Sequence, residues 1–169
     1  MKTIALLRAV NVGGTGKLPM VELKEMAEEL GFNDVRTYIA SGNLLFDAGG
    51  LAESAVKTKL ETRLAEYAGK PVGVMVRSAA EMAQIAADNP FVKEPSNRVV
   101  AIFLDEAPPK SALTDHKNLA DERITLGCRE IYIHYPAGQG PSKLIIRAAK
   151  AGTARNMNTV VKLSELAGK

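Results

Sequence analysis

"DVRTYIASGNLLFDA", residues 34–48, is the stretch on which the fold turns. In its first half Val35, Thr37 and Ile39 alternate with Arg36, Tyr38 and Ala40, the period of two that marks a strand. Ser41, Gly42 and Asn43 then supply turn chemistry, and "LLFDA" returns as a second strand. The stretch therefore reads as a β-hairpin, and each side of it leads first to a helix and then to another strand.

Upstream, Leu23, Met26, Ala27 and Leu30 fall at i, i+3, i+4 and i+7, one apolar helical stripe. Pro19 suits the first turn of that helix, and Gly31 ends it. Before it, "TIALLRAV" at 3–10 is short and almost wholly apolar, as in a buried strand. Downstream, Val56, Leu60, Leu64 and Tyr67 form the stripe of a helix over 51–67, closed by Gly69. A strand follows from Pro71, with Val72, Val74 and Val76 on one face. The order strand-helix-strand-strand-helix-strand predicts a ferredoxin-like (βαββαβ) half over residues 1–77.

Residues 78–169 read as a second, looser α/β half. Ser78 caps a helix, Pro90 and Pro95 mark a loop, and a strand starts at Arg98. A proline-initiated helix is expected over 108–120, then a hairpin with Gly127 near its turn. After the loop "PAGQGPS", a three-turn helix is expected from Ser142 to Gly152 and a last helix over 155–167, so this half ends in two helices. The fold class is thus α+β, two subdomains packed as one compact unit, with a boundary within 78–97.

At 169 residues, with 46% hydrophobic and 24% charged side chains, the chain can bury a core without staples. The single cysteine, Cys128, rules out an intramolecular disulfide and a C-x-x-C site. With only His116 and His134 beside it and no H-E-x-x-H pattern, no metal and no cofactor is predicted. His116 lies in a polar stretch, His134 and Tyr132 on one face of their strand, and each reads as structural. No signal peptide and no membrane span is recognisable, so a cytoplasmic protein with no membrane partner is expected. The net charge of +3 is unevenly placed: from residue 141 on, Lys143, Arg147, Lys150, Arg155, Lys162 and Lys169 oppose one acid, Glu165. Lys143, Arg147 and Lys150 would line one helix face, and such a field attracts anions, nucleic acid included.

Three polar clusters are candidate ligand-binding sites. In "LLRAVNVGGTGKLPM" at 6–20, neither the Walker A spacing nor the dinucleotide fingerprint is met, since Leu18 follows Lys17 and Pro19 stands where the third glycine belongs. A strand, a glycine loop and a helix N-terminus remain, with Arg8, Asn11 and Lys17 beside Gly13 and Gly14. Those glycines serve either an anion or merely the turn. In "GTARNMNTVVKL" at 152–163, Thr153, Arg155, Asn156 and Thr159 crowd a helix start, where arginine offers a fork for phosphate or carboxylate and the others offer caps. In the hairpin turn, Ser41 and Asn43 either meet a ligand or make an Asx-type turn.

Taken together, "ALLRAVNVGGTGKLPMVELKEMAEELGFNDVRTYIASGNLLF" and "TARNMNTVVKL" resemble the bacterial family called domain of unknown function 1697, over nearly the whole chain from Ile4 to Leu163. The resemblance implies an α+β fold with ferredoxin-like elements and no established activity. Its polar signature falls on Arg8, Asn11, Gly13, Gly14, Lys17, Ser41, Gly42, Asn43, Thr153, Arg155, Asn156 and Thr159. Ala9 stands where the family has glycine, which implies that glycine's freedom is not required there. Met157 stands where it has tryptophan, which removes an aromatic platform.

The leading expectation is a protein that binds a small phosphorylated or anionic ligand where these clusters converge. An enzyme on such a substrate is the alternative, with no general base identified. Weak non-specific nucleic-acid binding or a protein-interaction role for the basic C-terminal region is a further one. The aromatic pattern of RNA-binding ferredoxin-like units is absent, with no Trp and 5% aromatics. Oligomeric state is not legible.

Overall fold

The computed structural model describes residues 2–11 and 17–169, so Gly13 and Gly14 lie outside the described residues. The chain divides into two units, Met1–Met82 with Leu163–Lys169, and Ala83–Lys162.

The first unit contains β1 (Lys2–Leu7), α1 (Met20–Glu29), β2 (Asn33–Thr37), β3 (Asn43–Asp47), α2 (Glu53–Ala68) and β4 (Val74–Ser78). Its sheet runs β2-β3-β1-β4, each neighbour antiparallel. Ala5, Leu7, Leu44, Phe46, Val74 and Val76 cover one face and meet Leu23, Met26 and Ala27 of α1 and Val56, Leu60 and Leu64 of α2. Phe32 stacks on Phe46 with centroids 4.4 Å apart. Each fully buried leucine here contributes about 2 kcal/mol. The alternate residues Ile4, Leu6, Leu45 and Met75 are buried as well, which is why β1 reads as a continuous apolar run.

Several element ends differ from expectation. β1 stops at Leu7 because Ala9 turns to φ 55. β2 stops at Thr37, and Ile39, at φ 50, lies outside it and is exposed. Pro19 is the N-cap of α1 and not its first helical residue. Tyr67 leaves the α2 stripe: it is 41% exposed at the helix's last turn, just before Gly69 takes the left-handed cap.

α3 (Ala79–Ala87) and α4 (Met157–Ala167) each run across the division, and the second unit also holds β5 (Val99–Phe103), β6 (His116–Lys117), β7 (Arg123–Leu126), β8 (Glu130–His134), β9 (Ile145–Ile146) and β10 (Thr153–Asn156). One antiparallel sheet runs β10-β5-β8-β7, and β6 pairs with β9 in a separate ribbon. Val100, Ile102, Ile131 and Ile133 form the apolar face of the larger sheet. The predicted hairpin is β7–β8.

Three predicted helices are corrected here. The helix expected over 108–120 is a single 3-10 turn, Lys110–Leu113, followed by β6. Only Ala112 is buried there, while Leu113 and Leu119 stay exposed, so no apolar stripe stabilises further turns. The helix expected from Ser142 is β9 followed by a 3-10 turn, Arg147–Ala149. Ile146 is buried and Ile145 exposed, the alternation of a strand, so Lys143, Arg147 and Lys150 share no helix face. The last helix begins only at Met157, because Thr153–Asn156 pairs with β5.

Candidate functional site

Where β1 ends, the backbone of Arg8 donates to the Gly73 carbonyl at 2.8 Å, joining the β1 exit to the approach to β4. Ala9 and Asn11 both take φ 55, the left-handed region. The expectation that glycine's freedom is not needed at position 9 is therefore corrected: the freedom is used, and the alanine carries a cost of roughly 1–2 kcal/mol.

Asn11 acts as a clasp. Its Oδ1 accepts from the Leu18 amide at 2.6 Å, and its Nδ2 donates to the carbonyls of Leu18 and Ala40, each at 2.8 Å. The hairpin turn is tied in the same way. Asn43, fully buried, donates from Nδ2 to the Tyr38 carbonyl at 2.8 Å and to Ser41 Oγ at 3.0 Å. The Leu7 amide donates to the Gly42 carbonyl at 2.9 Å. Asn11, Ser41 and Asn43 thus hold the backbone around the site together.

Beside them lies a cavity of about 580 Å³. The β1 exit contributes Arg8, Ala9 and Val10, and the approach to α1 contributes Lys17 and Leu18. The end of α2 gives Leu64, Tyr67 and Ala68, and the connection to β4 gives Lys70, Pro71, Val72 and Gly73. Of the candidate residues, Arg8 and Lys17 both line this cavity, and Asn11, Ser41 and Asn43 are not among its lining residues. Lys70 and Tyr67 went unrecognised in the sequence. Lys70 reads there only as a cation following the end of a helix, where it also complements the dipole. The Tyr67 hydroxyl donates to the Glu22 carboxylate, and that bond raises its pKa above the ordinary 10.0.

Two other cavities carry different charge. One of about 250 Å³ in the second unit is lined by Asp121 and Glu122 with Lys143. Hydrogen bonds from the Ser142 hydroxyl and the Ala120 amide hold Glu122 below the ordinary carboxyl range. Another, of about 440 Å³ along the β6–β9 ribbon, gathers Lys117, Arg147 and Lys150, but Arg147 is paired with Asp115 at 3.3 Å.

The third predicted cluster belongs to the second unit. Thr153 and Arg155 point to the same side of β10 and are buried. Arg155 Nη1 donates to Thr153 Oγ1 at 2.7 Å and to the Ala154 carbonyl at 2.9 Å. Burial brings its pKa down to about 10, so it stays charged at neutral pH. Asn156 caps α4, its Oδ1 accepting from the Thr159 amide at 3.0 Å, and Thr159 is itself buried. Met157, in the position of the expected aromatic platform, is a core residue 1% exposed.

His134 is buried, its Nδ1 lying 2.9 Å from Arg123 Nη2 and its Nε2 3.4 Å from Glu94. The Tyr132 hydroxyl donates to the Ile85 carbonyl at 2.8 Å. Both are thus more enclosed than a half-buried strand face would be. Among the described residues no group of three His, Cys, Asp or Glu side chains is placed to hold a metal ion. No helix among them is long and apolar enough to cross a membrane.

The fold is shared with a conserved bacterial protein, SP0830 from Streptococcus pneumoniae, whose solved structure matches with a TM-score of 0.80 at 23% identity over 98% of each chain. No curated protein matches the chain. The family of proteins of unknown function DUF1697 matches residues 1–132, and this chain belongs to that family.

Proposed function

We propose that this protein binds a small phosphorylated or otherwise anionic ligand in the cavity of its first unit. The observation that carries this reading is the convergence of Arg8, Lys17 and Lys70 on one space of about 580 Å³. That size falls in the range of roughly 300–1,000 Å³ typical of small-molecule sites. Confined cations of one sign raise the local concentration of anions. Among the described residues the cavity's charged side chains are Arg8, Lys17 and Lys70, all cationic, which suits an anion. The unit itself we read as ferredoxin-like, on its element order and on its sheet order β2-β3-β1-β4.

Calorimetric titration with pyrophosphate, ribose 5-phosphate and phenyl phosphate tests the anion site. At least one should bind more tightly than about 1 mM, a free energy of about 4 kcal/mol. Arg8→Ala and Lys70→Ala should each weaken that binding about tenfold, as for the loss of one charge-assisted contact of about 1.5 kcal/mol. If all three anions stay weaker than millimolar, the proposal fails.

A further inference from the structure

We infer that the anion taken by this cavity carries an apolar, preferably aromatic, body: the site fits an amphipathic organic phosphate or carboxylate and not a polyhydroxylated one. This rests on the anion-binding proposal and narrows it. Arg8, Lys17 and Lys70 bring the charge to the cavity, whereas four polar groups of its walls are already engaged within the protein. The Leu18 amide donates to Asn11 at 2.6 Å, and the Leu18 carbonyl accepts from Asn11 at 2.8 Å. The Gly73 carbonyl accepts the Arg8 amide at 2.8 Å. The Tyr67 hydroxyl is held by Glu22.

Between those cations the walls also offer a ligand carbon: Pro71, Val72 and the ring of Tyr67, with Val10 and Leu18 buried behind them. A sugar ring placed against them would give up hydrogen bonds to water with little to replace them. An apolar body would gain by leaving water. A bare phosphate would occupy a small part of about 580 Å³. Tyr67 is 41% exposed at the edge of the site with its hydroxyl directed to Glu22, so its ring is what a planar ligand would meet.

The same calorimetric panel, extended with octyl phosphate and the neutral benzyl alcohol, decides the point. Phenyl or octyl phosphate should bind at least tenfold more tightly than ribose 5-phosphate and pyrophosphate. Tyr67→Ala should weaken phenyl phosphate at least fivefold more than it weakens pyrophosphate, while Tyr67→Phe, which keeps the ring, should preserve the wild-type ratio of the two affinities. If ribose 5-phosphate binds as tightly as phenyl and octyl phosphate, the apolar-body inference is overturned and the anion site stands. If benzyl alcohol binds as tightly as phenyl phosphate, the charge contributes nothing: the anion proposal fails and the inference built on it falls too, leaving an apolar pocket. If nothing binds, both fall.

Discussion

At Gly42 the backbone takes φ +89, and an added Cβ would lie 2.7 Å from Val10 Cγ2 and 2.9 Å from Leu7 Cβ. Gly42→Ala should therefore destabilise the protein by about 2–4 kcal/mol, from the left-handed backbone and from crowding together. Gly31 has a similar φ of +92 but nothing within 4 Å of an added Cβ, so Gly31→Ala should cost only the backbone part, roughly 1 kcal/mol. Urea midpoints at unchanged slope measure both, and equal losses would sink the crowding argument. At this scale the sequence was readable where a residue type has a narrow use, as for Ser41, Gly42 and Asn43 in their turn. It misled at Ala9, because an alanine does not advertise the positive φ it occupies. It misled again at Tyr67, which extends the helical stripe by spacing and yet leaves the core at the helix end.

Among the elements, α3 was announced in full by its cap. The Glu81 amide donates to Ser78 Oγ at 3.0 Å and the Ser78 amide donates to Glu81 Oε1 at 3.0 Å, a reciprocal capping box. Ser78→Ala should lower stability by about 1 kcal/mol, and Ser78→Thr should keep most of it. A double-mutant cycle with Glu81→Ala should return a positive coupling between the two positions, and strict additivity would refute the box. By contrast, the pieces misread as helix are short strands and single turns. Ile145–Ile146 and His116–Lys117 are strands only because they find each other. Thr153–Asn156 is a strand because β5 lies beside it, and its residues then alternate buried and exposed. Two to four residues hold too little of any period to announce themselves, and their hydrogen-bond partners are remote in sequence.

For the molecule as a whole, two buried tyrosines make stability depend on alkaline pH. Burial, aided by Glu122, pushes Tyr135 up to about 12, and burial first raises Tyr132 further still. In the unfolded chain a tyrosine ionises near 10.0, so the stabilisation is complete below pH 10 and is lost as pH rises toward 12. Arg155, lowered by burial to about 10, acts in the opposite sense over that window. Tyr135→Phe should therefore make the fall in urea midpoint between pH 10 and 12 shallower than in the wild type, and an unchanged slope would refute this role. By itself the sequence determined the α+β class, the order of the elements through residue 87 and the apolar faces of α1 and α2. Those follow from periods of 3.6 and 2, which are local and repeated often enough to be read. Only the tertiary structure decided which polar residues hold backbone and which line a cavity. Asn11 and Asn43 bond to carbonyls, while Arg8 and Lys17 meet Lys70 across more than fifty residues of chain. No periodicity encodes that meeting, because it depends on where the end of α2 comes to rest against the exit of β1.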